Sequence, residues 1–79
     1  MKTKEKLIKA FATALDVPET PDIEKYEYRN VAQWDSIAHL RLVTELESTF
    51  DIMLDTEDVI GLSSFRKSLE MLLKHGIDA

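Results

Sequence analysis

Apolar residues recur at helical spacing in three stretches of this chain, and no stretch alternates with the period of two that marks a strand. The first stripe consists of Leu7, Ile8, Phe11 and Leu15. The second consists of His39, Leu42, Val43, Leu46 and Phe50, and the third of Phe65, Leu69, Leu72 and Leu73. Helices with such stripes bury them against one another, so the pattern predicts an all-α fold.

Turn and cap residues divide the 79 residues into four helices within a single domain, residues 1–79. The expected helices are Lys4–Leu15, Ser36–Phe50, a short one around Glu57–Ile60, and one from Ser63 or Ser64 to His75. Both prolines fall in a long loop, residues 16–35, between the first and second helices. Loops of this length are often functional. The expected architecture is a small four-helix bundle with three longer helices and one short helix.

The charge pattern restricts the partners of the chain, whose net charge is −5. No Lys or Arg lies between Arg41 and Arg66, whereas six acidic residues do. This segment would repel phosphate-rich partners, so nucleic acid is not expected as a ligand. The acidic residues either complement a basic protein surface or are simply solvated, and charge alone does not decide between the two.

The lengths of the apolar runs indicate where in the cell the chain is expected. No apolar run reaches the ~18 residues that a membrane span needs. The first residues, 1–6, are basic and resemble the start of an amphipathic helix rather than a secretory signal. A monomeric cytoplasmic protein without a membrane span is therefore expected.

Enzyme sites find little support in the sequence. The chain has no cysteine, and His39 and His75 are far apart without a nucleophile at readable spacing. Residues 51–62 superficially suggest a calcium loop, but Met53, Thr56 and Leu62 occupy positions that need an oxygen ligand, glycine and glutamate. We expect no catalytic residue and no metal ligand.

Ser36 has a distinctive position at the expected start of the second helix. Asp35 is a good amino-terminal cap, and Trp34 before it can pack on the first turn as a hydrophobic staple. A phosphodiester on Ser36 would lie near unpaired backbone N–H groups and the positive end of the helix dipole. An Asp-Ser pair alone, however, is usually no more than a helix cap.

Residues 34–42, Trp-Asp-Ser-Ile-Ala-His-Leu-Arg-Leu, resemble the Asp-Ser-Leu signature and second helix of the acyl carrier protein family, with Ile37 replacing the usual leucine. Residues 46–52, Leu-Glu-Ser-Thr-Phe-Asp-Ile, resemble that family's Leu-Glu-x-x-Phe-x-Ile segment. Residues 56–58 and 63–65 match its short third helix and the start of its fourth. The resemblance covers nearly the whole chain and is least specific in the amino-terminal third.

The resemblance implies a carrier rather than an enzyme. A phosphopantetheinyl transferase would attach 4'-phosphopantetheine from coenzyme A to Ser36, and Asp35 would help to bind the magnesium that the transferase uses. The thiol of the arm would hold acyl groups as thioesters, as in fatty acid or polyketide biosynthesis. The partners implied are acyl-activating, acyltransferase or ketosynthase-type enzymes.

Five residues of the second helix are the expected partner-recognition surface: Ile37, Leu40, Arg41, Thr44 and Glu45. His39 and Arg41 make the first half of this helix less acidic than the family pattern. This departure favours a specialised biosynthetic pathway over housekeeping fatty acid synthesis. The alternative is a helical protein-interaction module that has the carrier-like fold and no prosthetic group.

Overall fold

Four α-helices and one 3-10 helix make up the computed structural model, which describes residues 3–77. The α-helices are α1 (Thr3–Leu15), α2 (Ser36–Phe50), α3 (Thr56–Gly61) and α4 (Phe65–Lys74), and the 3-10 helix spans Pro21–Lys25. This confirms the expected small all-α bundle with three longer helices and a short one. Within residues 3–77, no helix is long and apolar enough to cross a membrane.

Short polar side chains fix where the helices begin. Ser64 caps α4 by accepting a hydrogen bond from the backbone N–H of Lys67 at 3.0 Å. Asp55 and Asp58 form a reciprocal capping box on α3, in which Asp55 accepts from the Asp58 N–H at 2.8 Å. The capping box starts α3 at Thr56, one residue before the expected start.

The carboxyl end of α4 closes in a Schellman arrangement. Gly76 has a φ of +82°, which a glycine adopts without strain. The N–H of Gly76 donates to the Leu73 carbonyl at 2.9 Å, and the N–H of Ile77 donates to the Leu72 carbonyl at 2.8 Å. His75, expected as the last helical residue, is instead the cap that follows Lys74.

The core is filled largely by the predicted stripes, together with two residues of the long loop, Ile23 and Trp34, that are fully buried. The apolar stripe predicted for the fourth helix is wrong at one residue. Leu73 is 58% exposed, and Met71 is buried in its stead. Three consecutive apolar residues, 71–73, made the phase of this face ambiguous in the sequence.

The loop between α1 and α2 is fixed to the start of α4 by backbone pairing. The N–H of Tyr28 donates to the Ser63 carbonyl at 2.8 Å, and the N–H of Phe65 donates to the Tyr26 carbonyl at 3.0 Å. Between these bonds Glu27 and Ser64 form an isolated antiparallel bridge. The loop therefore enters α2 from a defined position.

Asp58 joins α3 to α4 through two charge-assisted hydrogen bonds. Its carboxylate lies 2.9 Å from Nζ of Lys74 and 2.8 Å from Nε2 of His75, and its side chain is only 4% exposed. The bond from Lys74 and then that from His75 lower the pKa of Asp58 to about 2, against the opposing effect of burial. Asp58 is therefore a structural ion-pair member and does not belong to the acidic surface that the sequence suggested.

Candidate functional site

The first turn of α2 carries the Asp-Ser pair in the expected arrangement. Asp35 is the cap, with extended backbone, and its Oδ1 accepts a hydrogen bond from the N–H of Ala38 at 2.9 Å. Ser36 is the first helical residue, and its side chain is exposed. Because Asp35 caps the helix, the Ser36 hydroxyl is not required for that purpose.

Trp34 and His39 hold this first turn against the body of the protein. The two residues occupy the positions of a helix staple, one before the cap and one in the second turn. Trp34 is fully buried, and its Nε1–H donates to Nδ1 of His39 at 3.0 Å. The expected packing of Trp34 on the first turn is confirmed, with a hydrogen bond added to the contact.

His39 is buried and uses both ring nitrogens. Its Nε2 lies 2.9 Å from the carbonyl oxygen of Val59 in α3. A carbonyl only accepts and the Trp34 indole only donates, so His39 is the neutral tautomer with its hydrogen on Nε2. It thus links the start of α2 to α3, and both of its ring nitrogens have hydrogen-bond partners.

Aromatic rings complete the support of Trp34. The ring of Phe11 meets the indole edge-on, with centroids 5.3 Å apart. The ring of Tyr28 stacks on His39 with centroids 5.0 Å apart and an interplanar angle of 13°. The segment that leads into Ser36 is therefore held by α1, the long loop and α2 together, which keeps the position of an exposed side chain defined.

Replacing His39 with leucine should destabilise the protein by about 1–3 kcal/mol, measured by urea unfolding. The change leaves the buried indole N–H of Trp34 without a partner, a loss that typically costs about 1–3 kcal/mol. The carbonyl of Val59 loses its bond from His39 but still accepts one from the N–H of Leu62 at 3.4 Å. A double-mutant cycle with Trp34→Phe, which removes the orphaned donor, should show coupling of at least ~0.5 kcal/mol between the two positions. Strictly additive effects would show that the Trp34–His39 bond contributes nothing.

All five predicted partner-recognition residues line one shallow groove of about 440 Å³. This α1–α2 groove is lined by Thr13 and Ala14 of α1 and by Ile37, Leu40, Arg41, Thr44 and Glu45 of α2. Ile37 and Leu40 are each 64% exposed although they are large and apolar. The groove begins one residue after Ser36, so the exposed serine and the apolar walls are neighbours.

The acidic residues between Arg41 and Arg66 do not form one uniform surface. Asp55 caps α3, and Glu47 accepts a hydrogen bond from the N–H of Leu54 at 2.9 Å. Asp51 ends α2 in the left-handed conformation, with a φ of 52°. Several of these acidic residues therefore have local structural roles. The sequence alone had suggested only two interpretations for them, binding to a basic partner or exposure to solvent.

The surroundings of Ser36 fit a covalently attached phosphodiester. The side chain is exposed, and the start of a 15-residue helix supplies a partial positive charge toward an anion. In residues 3–77, no group of three or more His, Asp or Glu side chains could hold a metal ion.

Comparisons with models of protein families, with curated proteins and with solved structures found no match to this chain. A functional assignment consequently depends on the residues themselves and on their geometry. The relevant features are an exposed serine at a capped helix start, an aromatic support beneath it and an apolar groove beside it.

Proposed function

We propose that the chain is an acyl carrier protein that is modified at Ser36 and presents acyl groups to partner enzymes in a specialised biosynthetic pathway. The observation that carries the proposal is the placement of Ser36, exposed and first in α2, directly after a cap supplied by another residue, Asp35. The resemblance of residues 34–42 to the carrier signature supports it. We further propose that it acts as a monomer in the cytoplasm, where coenzyme A is its source of the prosthetic group.

The modification is a phosphoryl transfer catalysed by a phosphopantetheinyl transferase. The Ser36 oxygen forms a bond to the phosphorus that bears the pantetheine of coenzyme A and loses its proton. The phosphoanhydride bond breaks, and the adenosine-containing half leaves with its phosphates. When attached, 4'-phosphopantetheine supplies a thiol that holds acyl groups as thioesters, at high effective concentration for docked enzymes.

The residues around Ser36 have separate tasks in this proposal. Asp35 keeps the helix start formed, and its carboxylate would help to hold the magnesium ion that the transferase uses. The helix start favours the phosphodiester anion on Ser36 by about 0.3–1 kcal/mol. Trp34 and His39 fix the loop so that the hydroxyl is presented at a constant position.

The proposal is tested by incubating the unmodified protein with coenzyme A, magnesium and a broad-specificity phosphopantetheinyl transferase. Intact-mass spectrometry should show the addition of one phosphopantetheinyl group per chain. The transferase is checked in parallel on a carrier that it is known to modify. If that control is modified and this chain gains no mass, the proposal is wrong.

Replacing Asp35 with asparagine should slow the modification without unfolding the protein. Asparagine caps helices about as well as aspartate, so the free energy of unfolding should change by less than about 0.5 kcal/mol. The lost charge weakens the magnesium contact, and we expect modification to be slower by about tenfold or more.

Asp55→Asn is the matched control, because Asp55 caps α3 in the same way but does not precede the serine. Its modification rate should equal that of the unaltered protein. Equal rates for Asp35→Asn and the unaltered protein would remove Asp35 from the transferase reaction and leave it only the role of a cap.

A second candidate function is favoured by the α1–α2 groove. A helical interaction module without a prosthetic group would bind its partner through the exposed Ile37 and Leu40. Such a module would bind that partner equally well after Ser36→Ala, and Ser36 would be unmodified in protein isolated from its own cells. Both results together would favour this second function.

A further inference from the structure

Arg41 lies on the wall of the α1–α2 groove as an exposed cation. Its side chain is exposed, and no carboxylate within residues 3–77 lies within 4.0 Å of it. Glu45 follows Arg41 by one turn of the helix. A cation that precedes an acid by four residues pairs with it more weakly than an acid that precedes a cation by four residues. The guanidinium is therefore available to a carboxylate from another molecule.

The apolar part of the groove lies beside this cation. Ile37 and Leu40 are both 64% exposed and line the same groove as Arg41. Thr44, the next groove residue of α2, donates its hydroxyl hydrogen to the Leu40 carbonyl at 3.2 Å, so it needs no polar partner from outside. Arg41 and Glu45 are the charged residues that line the groove, so a ligand that packs on Ile37 and Leu40 would place an acidic group at Arg41 and not at Glu45.

We infer that the α1–α2 groove binds a helix of a partner protein that packs apolar side chains on Ile37 and Leu40 and places a carboxylate on Arg41. A groove between two helices suits an amphipathic helix, and Arg is enriched among the residues that dominate binding. A guanidinium pairs with a carboxylate through two parallel hydrogen bonds, which gives specificity as well as attraction. The binding of such a helix does not depend on the proposed function. The further statement that the partner is an enzyme that acts on the loaded carrier does rest on the proposed function.

The pairing predicts discrimination by charge. A partner with a basic residue opposite Arg41 would suffer like-charge repulsion at that position. An acidic helix would be attracted there, although the chain as a whole carries a net charge of −5. Arg41 would thus determine which enzymes reach an arm on Ser36.

The test uses the unmodified full chain and two synthetic amphipathic helical peptides. Both peptides carry a leucine stripe, and they differ only in having Glu or Gln beside it. In NMR titrations the Glu peptide should shift the signals of Ile37, Leu40 and Arg41 and bind about fivefold more tightly than the Gln peptide. Arg41→Gln should remove that difference.

Arg66→Gln is the matched control, since Arg66 is an exposed arginine of α4 that does not line the groove. It should keep the preference for the Glu peptide. Equal binding of the two peptides, or a preference that survives Arg41→Gln, would overturn the inference. Self-association through the same residues, or binding to anionic vesicles that Arg41→Gln abolishes, would assign the groove to a second copy or to a lipid surface and would also overturn it.

Because the titration needs no prosthetic group, its result is independent of the modification assay. A chain that is modified at Ser36 but shows no peptide preference would keep the proposed function and lose the groove inference. A chain that shows the preference but is never modified would keep the groove and favour the interaction module.

Discussion

Replacing Ser36 with alanine is expected to abolish the addition of phosphopantetheine completely while leaving the protein folded. The alanine lacks the only oxygen that our proposal allows to attack coenzyme A. The helix start should survive because Asp35 provides the cap and alanine is the best helix former. Intact-mass spectrometry would measure the modification, and far-UV circular dichroism would report the helices.

Ser48→Ala provides the matched control for this experiment. Ser48 is an exposed serine of the same helix, but it lies far from the amino-terminal end. The Ser48→Ala protein should gain one phosphopantetheinyl group at the rate of the unaltered chain. If the Ser36→Ala protein were still modified, the arm would be attached to another residue and the proposed site would be wrong.

Replacing Leu46 with alanine is expected to lower the free energy of unfolding by about 2–5 kcal/mol. Leu46 is completely buried in α2, and truncating it removes apolar contacts and leaves a cavity. Domains of this size typically have a total stability of about 4–12 kcal/mol, so a loss in this range can unfold a large fraction of the molecules. Thermal unfolding should show a lower Tm, by about 4–8 °C for each kcal/mol lost.

Leu40→Ala is the same substitution six residues earlier on α2, at a position that is 64% exposed. It should change the unfolding free energy by less than about 0.5 kcal/mol, because a mostly exposed side chain loses little on truncation. The two variants carry the same substitution in the same helix, so a difference in their unfolding free energies reports the effect of burial alone. Equal losses for the two variants would mean that the buried face of α2 is assigned incorrectly.

The helices were predictable, with their ends correct to within about one or two residues, because they depend on neighbouring residues. Asp35 and Ser64 cap through their own side chains, and each bonds to an N–H three residues later. The apolar stripe of α2 likewise follows from spacing alone, and it places Leu42 and Leu46 in the core. Such local effects can be identified from the sequence alone.

The structure of the long loop was less predictable because much of it depends on distant residues. The Tyr28–Ser63 and Tyr26–Phe65 hydrogen bonds join segments that have no sequence signal for pairing. The 3-10 helix Pro21–Lys25 was also missed, although Pro21 at its first position and Asp22 after it are typical of a helix start.

The support beneath Ser36 was predictable only in part. The position of Trp34 before the cap indicated a staple, but nothing in the sequence specified that His39 would bond to both Trp34 and the carbonyl of Val59. Asp58 was counted as a surface acid for a similar reason. Its partners, Lys74 and His75, lie at the carboxyl end of α4 and are brought to it only by the fold.

The bridge between Glu27 and Ser64 also bears on the order in which the chain folds. These two residues are separated in sequence by the whole of α2 and α3. Joining them closes a long loop of chain, which carries a large entropy cost before the contact is made. We therefore expect the segment around residues 26–28 to become ordered late, after α1 and α2 have packed together, so that Ser36 reaches its final surroundings only near the end of folding.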